Sequence, residues 1–271
     1  MTEAERDGAI VRAMLRFVPC PQMHNPVRVK SFEEMGHLAG EFVLGNPNAL
    51  LFGAIFDYLI PYQKAWQAPL KLKERLGHLE PRRLATMSVA QLMPSIQKGA
   101  HGGALHRFPR VLAKRVISAS QRLVKEYGGS ASNIWPSGSR AGEVLGKLVA
   151  FDGISQKISR MLVRMLGTYY GVLLSHWSEI DVAVDRHVAR VFLRTGLVPR
   201  SARVHSVAGA KDLVIETARR LRPSYPGCLD EPAFSIGLEW CVAEARLCST
   251  GRSGDPCPLS GPCRKLSIGI R

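Results

Sequence analysis

The sequence has no run of about 18 or more uncharged apolar residues, so no stretch of it reads as a membrane-spanning helix. Its first residues, Met1-Thr2-Glu3-Ala4-Glu5-Arg6-Asp7, lack the apolar segment of a secretory signal. No internal repeat or low-complexity tract stands out, and alternating strand-like patterns are short and scattered. Acid is scarce: 22 Asp and Glu stand against 37 Lys and Arg, a net charge of +15 over 271 residues. Hydrophobic residues make up 46%, which provides an ample core and excludes global disorder. The expectation is a soluble cytoplasmic protein, nucleoid-associated if bacterial, with no membrane partner and a surface that attracts polyanions.

What is present is mostly helix. Thr2–Phe17 reads as a first helix, stopped by Pro19-Cys20-Pro21. Capping boxes at Ser31-Phe32-Glu33-Glu34 and Ser88-Val89-Ala90-Gln91 each open another. The segment from Asn48 to Leu59 is almost wholly apolar, which predicts burial on every side. A helix is predicted over Leu105–Tyr127 before a Gly128-Gly129-Ser130 stop, and from His106 to Lys125 it carries Arg107, Arg110, Lys114, Arg115, Arg122 and Lys125 without one acid. Alone this could be a solvated face; with the whole-chain charge it points to nucleic acid. Further helices are predicted over 141–150, 155–166, 181–195, 206–221 and 231–247.

Three constellations carry chemistry. Helices 141–150 and 155–166 flank a tight turn at Asp152-Gly153. Glycine there lets a phosphate approach the backbone, and the helix N-terminus beyond it offers amides. An ordinary αα-hairpin would read the same. Asp185 precedes an amphipathic helix, where it suits both an N-cap and a charge placed beside a reacting sugar. Last comes Cys241-x6-Cys248-x8-Cys257-x5-Cys263. Clustered thiols in a cytosolic chain favour metal over disulfides, and four suit zinc or an iron–sulfur cluster equally. Cys20 and Cys228 lie outside this pattern and read as buried apolar residues.

In this order the three pieces resemble the helix-hairpin-helix DNA glycosylases. Phe151-Asp152-Gly153-Ile154-Ser155-Gln156-Lys157-Ile158-Ser159 is similar to their Leu-Pro-Gly-Val-Gly-x-Lys-Thr-Ala hairpin. Val184-Asp185-Arg186-His187-Val188-Ala189-Arg190-Val191 is similar to their Val-Asp-Thr-His-x-x-Arg-Val. The endonuclease III branch adds Cys-x6-Cys-x2-Cys-x5-Cys. Here the outer spacings match and the middle one is longer, filled by the loop-forming residues 249–256. The resemblance runs from about Pro47 to Cys263, with an insertion between Gly167 and Asp181.

The resemblance implies a two-lobed all-α fold. Residues 46–176 would form a helical barrel with the hairpin, and 1–45 plus 177–271 a discontinuous second lobe with the cluster loop. It implies a monomeric DNA N-glycosylase of base excision repair acting on double-stranded DNA with a damaged or modified base. Lys157 would be the nucleophile and AP lyase, Asp185 the catalytic carboxylate, and the four cysteines the ligands of a [4Fe–4S] cluster. Gly153, Ser155, Arg110 and Lys114 would contact DNA, and Leu105, His106 and Arg107 are wedge candidates. Tyr58 and Tyr62 would stand at the base pocket, Tyr58 near where the family commonly places a gap-filling glutamine. Two alternatives remain open from the residues alone. One is a monofunctional glycosylase that activates water; the other is a non-catalytic helix-hairpin-helix DNA-binding protein.

Overall fold

Thr2 and Glu5 satisfy each other's backbone donors and start α1, Glu3–Phe17. The structure is a computed structural model that describes residues 1–18, 37–97, 103–199, 204, 206–242 and 247–267. The capping box expected at Ser31, the stop at Pro19-Cys20-Pro21 and Cys20 itself lie outside the described residues. α2 (His37–Gly45) leads into α3 (Pro47–Phe56), which begins where Asn46 Oδ1 accepts from the amides of Asn48 and Ala49 at 3.0 and 3.1 Å. Every residue of α3 from Ala49 to Phe56 is buried, as its lack of polar positions requires. Its partner is α4 (Tyr62–Leu76), whose Trp66 ring lies against Gly53; a Cβ at Gly53 would meet that ring at 2.5 Å.

α5 (Pro81–Leu84) and α6 (Val89–Gln97, capped by Ser88 and Gln91) pack on α7, Pro109–Tyr127. The sequence predicts that last helix from Leu105, but it starts four residues later. Pro109 has no N–H to donate and so occupies a first-turn position. The His106 ring takes the Phe108 amide at 3.0 Å, which fixes 105–108 as a folded lead-in instead. α8 (Ala141–Val149) and α9 (Gln156–Tyr169) form the hairpin. α10 (Arg186–Thr195), α11 (Val207–Leu221) and α12 (Asp230–Glu239) follow, and α1 packs on α11 and α12. α2 packs on α3 and α4.

Among the described residues there is no strand, only an isolated bridge between Arg140 and Ser175. The fold is all-α, as expected. No single described helix is long and apolar enough to cross a membrane. Helices predicted over 181–195 and 231–247 are shorter in the structure. The first begins only at Arg186 because Asp181 is tied to Arg160 at 3.1 Å and to Arg219 at 2.7 and 2.9 Å, which holds 181–184 out of helix. The second ends at Glu239, and residues 243–246 of that prediction lie outside the described set.

Candidate active site

The hairpin turn is built by glycine and an arginine. Gly153 has φ +92°, a left-handed conformation that side chains resist. A Cβ there would also meet Arg115 Cδ at 2.7 Å. Ser155 then caps α9, its Oγ accepting from the Ile158 amide at 3.3 Å. This leaves Lys157 in the first turn, exposed, projecting from a helix N-terminus.

Asp185 caps α10 in the same way. Its Oδ1 accepts from the amides of His187 and Val188 at 2.8 and 3.0 Å. The other oxygen, Oδ2, lies 3.9 Å from Lys157 Nζ. The carboxylate is 18% exposed and the lysine 45%, so the pair is open on one side and walled on the other. The insertion between Gly167 and Asp181 does not break this register. Its chain returns to the loop before α8, where Gly138 N donates to Leu173 O at 2.6 Å and Ser175 N to Ser139 O at 2.9 Å. The Asp181 clamp then aims the chain at Asp185.

Two further carboxyls face this pair, and the sequence singled out neither. Asp57 follows α3 and is close enough to Lys157 and Asp185 to feel both charges. Burial pushes its carboxyl above the usual carboxylate range; Lys157 opposes that rise and Asp185 adds to it. Asp230, fully buried at the start of α12, is pushed up to about 6 by burial, while Arg164 pulls the other way at 3.1 Å. Lys157 and Asp185 act on it too, with opposite signs. Arg164 and Tyr169 of α9 also bond Glu231, joining the hairpin helix to α12 behind the site.

The expected DNA-facing residues divide. Arg107, Arg110 and Lys114 are exposed, the last two on α7. Leu105 and His106 are corrections: they are 3% and 0% exposed and belong to the core. His106 bonds the Tyr58 carbonyl at 2.8 Å through Nε2, so its ring is a strut and not a wedge. Tyr58 stacks on His106, leans on Phe108 and carries the Arg115 guanidinium 4.4 Å over its ring. That ring is already committed to protein contacts. Its neighbour Leu59 is exposed, 60% accessible and held at φ +55°. Tyr62 is half-buried and meets Phe234 edge-on at 6.0 Å, and Phe234 in turn meets His187 at 5.4 Å. These rings form an aromatic wall between α4, α12 and α10.

The four cysteines gather at one corner. The residues between Cys248 and Cys257 are pinched off where Cys257 N donates to Cys248 O at 2.9 Å. Their loop folds back on α12: Trp240 Nε1 donates to Asp255 O at 2.7 Å, and Glu239 accepts from the Arg252 amide at 2.6 Å. Cys241, Cys248 and Cys263 all act electrostatically on Cys257. Burial pushes the Cys257 thiol up to about 11, and the Cys241 and Cys263 thiols upward as well. Among the described residues no three His, Cys, Asp or Glu side chains are set to hold a single ion. Four thiols suit zinc or an iron–sulfur cluster equally by their chemistry. Arg194 reaches in from α10, donating to Cys241 Sγ at 3.6 Å and to Val242 O at 2.6 Å. Cys228 is buried, as expected for an apolar position.

A trapped covalent endonuclease III–DNA intermediate matches the structure with TM-score 0.58 and 18% identity, over 98% of this chain and 97% of that one. The fold is that of endonuclease III. A non-covalent endonuclease III–DNA complex matches at TM-score 0.59 and 18% identity over 98% and 96%. A thermostable thymine-DNA glycosylase matches at TM-score 0.59 and 13% identity over 96% of each chain. No protein-family model and no curated protein matches the sequence. The likeness is one of fold, and what the chain does must be argued from its own site.

Proposed function

We propose that this protein is a DNA glycosylase of base excision repair, with Lys157 as nucleophile and AP lyase and Asp185 as the charge that steadies the sugar. The observation that carries the reading is the approach of Lys157 Nζ to Asp185 Oδ2 at 3.9 Å, both side chains springing from helix N-termini beside a glycine hairpin. Both neighbouring endonuclease III structures hold DNA, one of them covalently, and this supports the reading.

The chemistry follows from the geometry. A base within a duplex must leave the stack before its glycosidic bond is reachable. Leu59, exposed and apolar beside the site, fills the vacated space, while the Tyr62–Phe234 wall receives the base. Positive charge develops on the sugar as the base departs, and Asp185 stabilises it. Lys157, having passed a proton to Asp185, attacks C1′; the C1′–O4′ bond then opens, O4′ taking its electron pair and a proton, which leaves a Schiff base that permits β-elimination. Amides at Gly153 and Ser155 hold a neighbouring phosphate. The test is borohydride trapping and base release over duplexes carrying uracil, oxidised pyrimidines, 8-oxoguanine or bulky modified cytosines. Absence of any covalent adduct would remove the lysine mechanism.

DNA affinity is expected to fall steeply with salt, with a log–log slope of roughly −5 to −7 for about 5 to 8 neutralised phosphates. Charge reversal at Arg110 and Lys114 should weaken binding to all sequences alike, read by fluorescence anisotropy across a salt series. A flat salt response would contradict an electrostatic interface.

We further propose that Cys241, Cys248, Cys257 and Cys263 bind a [4Fe–4S] cluster whose role is to hold the C-terminal loop against α10 and α12. The site lies away from Lys157 and takes no part in bond breaking. Purified protein should be brown, with about four irons per chain. One zinc and no colour would show that the longer middle spacing has changed the metal.

A further inference from the structure

Two helix N-termini converge on the site, and the contact between their side chains is too weak to hold them there. Lys157 Nζ and Asp185 Oδ2 stand 3.9 Å apart with the lysine half exposed. An open ion pair of that kind contributes little against the freedom of the side chains that make it. Both N-termini also carry the positive ends of helix dipoles, which disfavour close approach. The spacing of α9 and α10 must be set by something deeper.

A second ion pair lies behind the first and is buried. Asp181, 6% exposed, accepts from Arg160 Nη2 at 3.1 Å and from Arg219 Nε and Nη2 at 2.7 and 2.9 Å. Arg160 follows Lys157 by one turn of α9, so the two share a face of that helix. Its side chain is 17% exposed, and its Nε is buried without a hydrogen-bond partner, so Asp181 is its anchor. Asp181 in turn precedes Asp185 by four residues, and the chain between them is fixed. Ile180 O accepts from the Gly227 amide at 2.8 Å, and Val182, Ala183 and Val184 are all buried. The two ion pairs are therefore two rungs between the same two pieces of chain. The outer rung is open to substrate, and the inner one is closed to water.

We propose that Asp181 and Arg160 are positioning residues for the reaction: their buried pair sets how Lys157 meets the sugar beside Asp185. This rests on the lysine-nucleophile reading above. Neither residue needs to touch DNA. Breaking a buried ion pair leaves an uncompensated charge, so this rung resists displacement far better than the outer one. Attack requires the reacting atoms about 3–3.5 Å apart and aligned, and a misplacement of about 1 Å can cost about 10²-fold in rate. The cations of α7 and the hairpin amides do not depend on the inner rung. Its loss should therefore slow the reaction without weakening DNA binding.

The test measures the rate of borohydride trapping at saturating abasic-site duplex, and separately the affinity for that duplex. The native chain would be compared with Asp181→Asn, Arg160→Met, the double variant and Arg160→Lys, at a temperature where circular dichroism shows them folded. Asp181→Asn and Arg160→Met should each lower the trapping rate about 10²-fold while affinity keeps its native value. The double variant should be no slower than either, since the same rung is lost in all three. Arg160→Lys should recover most of the rate, because an ammonium can make the single bond to Asp181. If Asp181→Asn does not fold, Arg160→Met decides alone, since there Asp181 keeps both bonds to Arg219. A native trapping rate in folded Arg160→Met would overturn the proposal. So would losses that multiply in the double variant, or a loss confined to affinity. A native chain that leaves no adduct would bring down the lysine reading and this assignment with it, whereas native trapping with undiminished variants would bring down this assignment alone.

Discussion

Asp185→Asn is expected to abolish base release while leaving the protein folded and able to bind DNA. Asparagine caps a helix about as well as aspartate, so the bonds to the His187 and Val188 amides persist and α10 keeps its start. What disappears is the charge 3.9 Å from Lys157 Nζ. That charge acts only when the sugar turns cationic, so its loss raises the barrier without weakening ground-state binding. Removal of one such electrostatic group typically costs about 10²–10³-fold in rate, and loss of the proton acceptor for Lys157 adds to this. Single-turnover base release, with circular dichroism and DNA affinity as controls, measures it. Retention of full base release would leave the carboxylate with no role beyond capping.

Lys157→Ala should eliminate the covalent adduct and strand cleavage together. The side chain is 45% exposed, so its truncation leaves no cavity, and alanine suits the first turn of α9. Affinity for undamaged DNA should change little, since one phosphate contact of several is lost. Strand cleavage that survives in Lys157→Ala would move the nucleophile elsewhere, even with the glycosylase reading intact.

Much of the helical order was legible because local rules and tertiary packing agree. The run from Thr2 to Phe17, and Ser88 with Gln91, announced two helix starts that the structure keeps. The apolar run after Asn48 announced a helix with no solvent face. The cap at Asp185 and the turn at Gly153 were legible in adjacent residues, whereas the pairing of Lys157 with Asp185 was implied only by the resemblance of the two segments to the helix-hairpin-helix glycosylases. Three features were not legible. The late start of α10 depends on Asp181 finding Arg160 on α9 and Arg219 on α11, partners far apart in sequence. His106 lies among cations in sequence, yet it bonds the Tyr58 carbonyl and is buried. Asp57 looks like any loop acid until α9 and α10 bring Lys157 and Asp185 to it. Leu59 left one trace, an apolar residue in a short loop next to a buried helix, but only its backbone at φ +55° shows it turned outward.

The most direct test is to reduce the complex with an abasic-site duplex, digest it and locate the modified peptide by mass spectrometry. The account predicts one adduct, on Lys157, that Lys157→Ala lacks. An adduct on another lysine or on the terminal amine, or no adduct at all, would contradict it.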